Sequence, residues 1–258
     1  MTLTKVIRIF MKITSIQLST IFEQNRQIVL GCGAILLEIS ESLNGKIIQL
    51  HVPDTVPFDA PQILVKGADT VVSLGFKRID ITVTPPSHVS ADLNGAIQFA
   101  RRRIEPILRR FVEYGITYEW SGLIADVEYP TQSEGLPALK IGEELFDQLL
   151  TPDRGGRDLS SLQINFGFVE RGLNRMFTIV GYDNKEAVIQ VASNQQEIHV
   201  DAADLPIIES GVSVKIDINT KPTPKSSDPI SQMISLMEEQ ETTQANLVTE
   251  INLGGMLQ

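Results

Sequence analysis

The sequence predicts an α+β protein: two antiparallel β-meanders, each followed by a helix, in the manner of a pseudo-duplicated unit. Three observations carry this. Apolar and polar residues alternate with period two through most of the chain, which is the signature of strands half-covered on one face. A single long stretch, Leu93 to Phe111, has helical spacing instead. Finally, Arg78-Ile79-Asp80-Ile81-Thr82 and Lys215-Ile216-Asp217-Ile218-Asn219 echo each other, and each is followed by a Pro-rich linker and a helix. The expected arrangement is two twisted sheets, each with one long helix packed on a face.

The elements follow in order. Residues 13–22 and 34–39 read as strands. Leu43-Asn44-Gly45 precedes a strand over 46–52, and Asn-Gly between apolar runs signals a hairpin turn. Pro53, Pro57 and Pro61 mark a loop over 51–62. Strand resumes over 71–84, with Ile79, Ile81 and Val83 on one side and Arg78, Asp80 and Thr82 on the other. Pro85-Pro86 ends it.

A helix is expected over roughly 90–114, with Ser90 or Asp92 as cap. Its stripe is Leu93, Ile97, Ala100, Ile104, Ile107, Leu108 and Phe111. Pro106 should kink or split it near Arg102 and Arg103. Gly115 should stop it. Residues 116–129 return to strand with Gly122 as a bulge candidate, and 141–150 form a short helix.

The stretch 151–161 is loop-like, so the expectation is three segments, 1–150, 151–225 and 226–258, or one compact domain overall. Strands are expected over 162–169, 175–182, 187–192, 197–200 and 212–219. Asp228 and Pro229 then start a terminal helix over 229–240 with Ile230, Met233, Ile234 and Met237 inward.

Composition excludes several function classes. The chain has 258 residues, 42% of them hydrophobic and 6% aromatic, which fits a globular protein with an aliphatic core. One cysteine rules out a disulfide framework and a Cys-based zinc site. His51, His88 and His199 are too scattered for a His-rich metal site. No run of about 18 apolar residues suggests a membrane span, and the N-terminus lacks the apolar core of a signal peptide. Met11 is an alternative start, which would leave the first ten residues as an artefact. The cytoplasm is the expected compartment.

The net charge of −10 argues against general nucleic-acid or anionic-membrane binding. It is unevenly spread. Residues 226–258 carry five acids and no bases. Residues 119–153 carry eight acids against Lys140. Residues 78–110 carry six arginines against Asp80, Asp92 and Glu105.

Four features are candidates for chemistry. Arg101, Arg102, Arg103, Arg109 and Arg110 form a basic helix face suited to an anion or an acidic partner. The simpler account is a solvated face paired with Glu105 and Glu113. Asp126 and Glu128 share one strand face, with Glu119 near, and two carboxylates there suit a divalent cation. The simpler account is an exposed polar sheet face, and no Asp-x-Lys or Glu-x-Lys accompanies them. Cys32, in Gly31-Cys32-Gly33, has no histidine near in sequence to activate it, and the glycine-rich Arg154-Gly155-Gly156-Arg157 follows no strand. Last, Leu247, Ile251, Leu253, Met256 and Leu257 form an apolar terminus that makes sense once something covers it: the chain's own body, a second copy or another subunit. No catalytic set and no cofactor are implied.

The layout carries a resemblance. A proline-rich loop, the Ile79-Asp80-Ile81 strand, the long helix, the Gly122-Leu123-Ile124 strand and the late Lys215-Ile216-Asp217-Ile218 strand resemble a sporadically distributed, functionally uncharacterised bacterial family of this length. Members tend to carry a Gly-Leu-Arg-Tyr-like central strand, where this chain has Ile124 and Ala125 in place of Arg-Tyr, and a Leu-Asp-Ile-Asp-like late strand. The family's Pro-Pro-x-x-Glu-like N-terminal signature is absent. The resemblance implies architecture and no activity. Its sporadic distribution implies an accessory subunit beside an effector, of the kind found in defence systems.

The expected function is a non-enzymatic binding or assembly subunit acting with a protein partner or with itself. The alternatives are a metal-dependent nucleic-acid enzyme using Asp126 and Glu128, and an acidic regulator that neutralises a basic partner. Nucleic-acid binding through the arginine face is not favoured, and no membrane is expected.

Overall fold

The computed structural model describes residues 11–23, 31–50, 60–131, 138–149, 162–186, 205–220 and 228–250. The strands are β1 (Lys12–Phe22), β2 (Lys46–Gln49), β3 (Pro61–Lys66), β4 (Thr70–Gly75), β5 (Arg78–Val83), β6 (Tyr118–Pro130), β7 (Gln163–Glu170), β8 (Leu173–Lys185) and β9 (Ile207–Asn219). The helices are α1 (Gly33–Ser42), α2 (Ser87–Ser90), α3 (Leu93–Glu113), α4 (Ala138–Leu149) and α5 (Pro229–Glu250). The strands form one antiparallel sheet in the order β2-β3-β4-β5-β1-β6-β9-β8-β7.

The expected pair of separate sheets is therefore corrected to a single sheet. The reason lies in β1 and β6, which pair with each other along nearly their whole length, Leu18 opposite Leu123. Had the halves stayed apart, each would have presented an open strand edge at this point. The sheet takes strands from both sides of residue 151, since β6 pairs with β9.

Register explains the core. Paired residues share a face, and Val72, Ile81, Leu18, Leu123 and Ile218 lie in successive register across five strands. All are buried, as are Ile16, Ile79, Ala125, Val127, Val214 and Ile216 on the same face. Helices α3 and α5 pack on this face and on each other, α1 lies against β2 and β3, and α4 against β8 and β9. The opposite face carries Gln17, Arg78, Asp80, Asp126, Lys215 and Asp217. Strand β1 breaks strict alternation by register shifts between Ile13 and Ser15 and between Ile21 and Phe22. Those shifts let Ile13 and Ile16, three apart, both turn inward.

The expected strand over 34–39 is helix α1. A short apolar run does not distinguish the two by composition. Its burial does: Leu36 and Ile39 are covered while Leu37 between them is 54% exposed. Asn44-Gly45 consequently ends a helix rather than turning a hairpin. Asn44 sits at φ +46°, and Asn44 and Gly45 donate their N–H groups to Glu41 O and Ser40 O at 3.1 and 2.8 Å. That is a Schellman closure with asparagine in the left-handed position. Helix α3 ends the same way, with Gly115 at φ +87° donating to Val112 O.

The expected single strand over 71–84 is a hairpin, β4 turning at Phe76-Lys77 into β5. Pro61, placed in the expected loop, begins β3, where a missing N–H costs least. Helix α3 is capped by Asp92, which accepts the Gly95 N–H at 3.0 Å. It runs unbroken through Pro106, so the expected split is absent. Proline costs about 3 kcal/mol in a helix interior. Burial of Ile97, Ile104, Ile107, Leu108 and Phe111, at about 1.5–3 kcal/mol each, outweighs that.

Gly122 is not a bulge. It keeps register with Ser19 and Asn219, and a Cβ there would meet the Asn219 Cβ at 3.0 Å. Helix α5 extends well past the expected 240. Its inward positions there are Gln240, Thr243, Gln244 and Leu247, so the apolar pattern fades while the helix continues. Gln244 donates to the Tyr129 hydroxyl at 3.1 Å. The expected strands over 187–192 and 197–200 lie outside the described residues.

Candidate functional site

The five arginines do share the outer side of α3, but four of them are engaged within the chain. Arg101 and Arg109 both bind Glu105, at 3.3 and 2.6 Å, and hold its carboxyl below the usual range, Arg109 first. Arg103 reaches Asp69 beyond β3 at 2.6 Å and lies over the Phe99 ring at 5.4 Å. Arg110 pairs with Glu38 of α1. Among the described residues, Arg102 alone of the five has no ion pair. The cluster therefore ties α3 to α1 and to the β3–β4 turn.

Asp126 and Glu128 lie on the sheet face opposite α3 and α5, which carries no helix among the described residues. Ser15 donates to Asp126 at 2.7 Å, and Lys215, directly opposite in register, stands 3.6 Å from its other oxygen. Lys12, opposite Glu128, is 3.5 Å from it. The lysines missing from the local sequence are thus supplied by neighbouring strands, where they neutralise the carboxylates. Among the described residues no group of three His, Cys, Asp or Glu could hold a metal ion. Asp80 on the same face accepts from Ser19 and Arg78 at 2.6 and 2.7 Å.

Cys32 precedes α1 and is buried, and desolvation pushes its thiol up to about 11. Burial thus disfavours the thiolate that a nucleophilic cysteine needs. Of the apolar terminus, Leu247 lies in α5 and is buried. Ile251, Leu253, Met256 and Leu257 lie outside the described residues, as do Arg154 to Arg157, His51 and His199.

The most site-like feature is elsewhere. At the β7 end of the sheet, a cleft of about 390 Å³ opens between β7, β8 and the last turns of α5. Phe177 of β8 stacks between Phe166 and Phe168 of β7, with ring centroids 4.9 and 5.6 Å apart. Offset-stacked pairs at such distances contribute about 0.5–1.5 kcal/mol beyond their burial. Arg175, next in the row, is 3% exposed. It donates to the Glu170 carbonyl at 2.9 Å, to Glu239 at 2.5 Å and to Thr243 at 3.4 Å. This buried guanidinium pins α5 to β8 and forms one wall of the cleft, while Leu247 and Asn246 form another. Phe168 and Val169 remain 45% and 65% exposed.

Sequence reasoning missed this site. A signal was present: three of the ten phenylalanines fall between 166 and 177, in a chain with 6% aromatics.

The fold and this site together define an α+β protein with helices on one sheet face, a polar face opposite that no described element covers, and an aromatic cleft at the β7 end of the described sheet. No protein-family model matches the chain, and no curated protein matches it either. Among the described residues no helix is long and apolar enough to cross a membrane.

Proposed function

We propose that this protein is a non-enzymatic binding and assembly subunit that docks a protein partner at the β7 end of its sheet. One observation carries the reading: Phe168 and Val169 stand exposed on the outermost strand of the described residues, beside an aromatic cleft. Exposed aromatics over a rigid, pinned floor are what protein interfaces favour. The arginine face is a weaker docking surface, since four of its five members are engaged within the chain. Lysine-neutralised carboxylates likewise weaken the metal-enzyme reading.

The resemblance to the sporadically distributed bacterial family supports an accessory role in a defence-type system of the cytoplasm. The chain order supports a duplicated origin. Strand, helix, meander and helix follow one another twice, and Ile81 opposite Leu18 corresponds to Ile218 opposite Leu123.

The test compares complexes recovered from the native host. Phe168→Asp places a charge on the docking surface and should release the partner while the fold persists. Reversal of Arg102 and Arg109 to Glu should leave the complex intact. The opposite pattern would move the site to α3 and overturn the reading.

A further inference from the structure

We propose that the partner at this end is a second copy of the chain, joined by antiparallel pairing of β7 with β7 into one continuous sheet. This rests on the reading that the β7 end is the assembly surface.

The two sheet edges differ. β2 is four residues long and begins with Lys46, opposite Lys66. Short strands and edge lysines are devices that block strand addition. β7 spans eight residues, QINFGFVE, with no Lys, Arg or Pro, and six of the eight are exposed. Among the described residues it pairs with β8 alone. Its single ionisable group, Glu170, turns to Arg175 at 3.3 Å. The net charge of −10 on each copy repels the other, but salt screens that repulsion beyond about 8–10 Å, and β7 itself adds one carboxylate, turned toward Arg175.

The sequence of β7 is compatible with itself. A two-fold axis perpendicular to the sheet keeps both helical layers on one side, so residues of like parity must face each other. With the axis at Gly167, Phe166 of each copy faces Phe168 of the other. The aromatic row over Phe177 then runs unbroken from one copy into the next, covering the exposed Phe168. Aromatic cross-strand pairs are among the most favourable. Gly167 suits the axis because it carries no side chain there, and a Cβ would meet the Arg175 carbonyl at 2.9 Å. On the face opposite the helices the same register sets Asn165 opposite Val169 of the other copy. Both are exposed.

The experiment is the mass of the purified recombinant chain alone, by sedimentation or light scattering up to about 100 µM. The wild type should be a dimer. Asn165→Asp with Val169→Asp puts like charges opposite one another twice and should weaken the dimer at least about fivefold. Asn165→Asp with Val169→Lys makes those contacts attractive and should restore it. Both positions are exposed in the single chain, and an aspartate at 165 keeps the oxygen that accepts from Thr178 at 2.8 Å, so melting temperatures should agree. A monomeric wild type, or a dimer indifferent to both variants, overturns the proposal. If the recombinant chain is a monomer while the host complex is still lost with Phe168→Asp, only the self-pairing fails and the docking reading stands.

Discussion

Arg175 of β8 and Glu239 of α5 meet at 2.5 Å, with the arginine side chain 4% exposed and the glutamate 24%. This pair fixes the helix that walls the cleft. Its asymmetry in burial sets the cost of breaking it from either side. Glu239→Ala leaves a buried guanidinium with Thr243 and Glu170 as its remaining partners, and should destabilise by about 3 kcal/mol. Arg175→Met removes the buried charge and leaves Glu239 able to reach water, so it should cost less. Urea denaturation of both variants checks the order.

The arginine face makes a contrasting prediction. Arg102→Glu should change stability by less than about 0.5 kcal/mol, as for surface sites outside any network. Arg103→Glu breaks the contact to Asp69 and the stacking on Phe99, and should cost about 1 kcal/mol. Thermal melts of the two variants read the difference.

Cys32 predicts a pH dependence. Burial pushes its thiol up to about 11 in the folded chain, from an ordinary value of 9.0. Between those values the unfolded chain loses the proton and the folded chain keeps it, so stability falls as pH rises from 9 toward 11. A displacement of that size corresponds to a loss of roughly 2–3 kcal/mol. Tyr129, pushed up to about 12 by burial, adds a loss that begins higher. Cys32→Ala should remove the part of the decline that starts near pH 9. Denaturation curves across pH 8 to 11, about the range of thiol titration, test this.

The end of α1 gives a backbone prediction. Asn44→Gly should be neutral or slightly stabilising, because glycine takes the left-handed position without strain. Gly45→Ala should destabilise by about 1–3 kcal/mol, since the new Cβ would meet the Lys66 carbonyl at 2.7 Å. Chemical denaturation of both distinguishes a helix terminus from a hairpin turn, which would respond to Asn44→Gly differently.

Much of the fold was legible because period two is a strong signal where one sheet face is covered. Strands β1, β5, β6 and β9 and the stripe of α3 lie close to where their patterns place them. The failures have physical causes. Ala34 to Ile39 is too short and too uniformly apolar to show its period, and Asn-Gly serves helix ends as well as hairpins. The far half of α5 is buried through Gln240, Thr243 and Gln244, so hydropathy cannot find it. The union of two meanders into one sheet depends on β1 meeting β6, a contact over a hundred residues apart.

The candidate site was less legible, since its parts come from three elements. Arg175 has the pattern of an ordinary strand residue, and only Glu239 and Thr243, more than sixty residues later, make it a buried pin. The arginine run stands out through local density, yet its partners Asp69 and Glu38 are invisible in one dimension. Leu247, expected in a docking tail, lies in α5 and lines the cleft.

Assembly with a partner at the β7 end is tested most directly by the native mass of the protein purified from its own host, for the wild type and for Phe168→Asp. The wild-type mass should exceed the 28.5 kDa of a single chain. In the variant it should fall to that of one chain, with the melting temperature kept. A wild type that runs as a single chain, or a complex that the variant leaves unchanged, would contradict assembly through this edge.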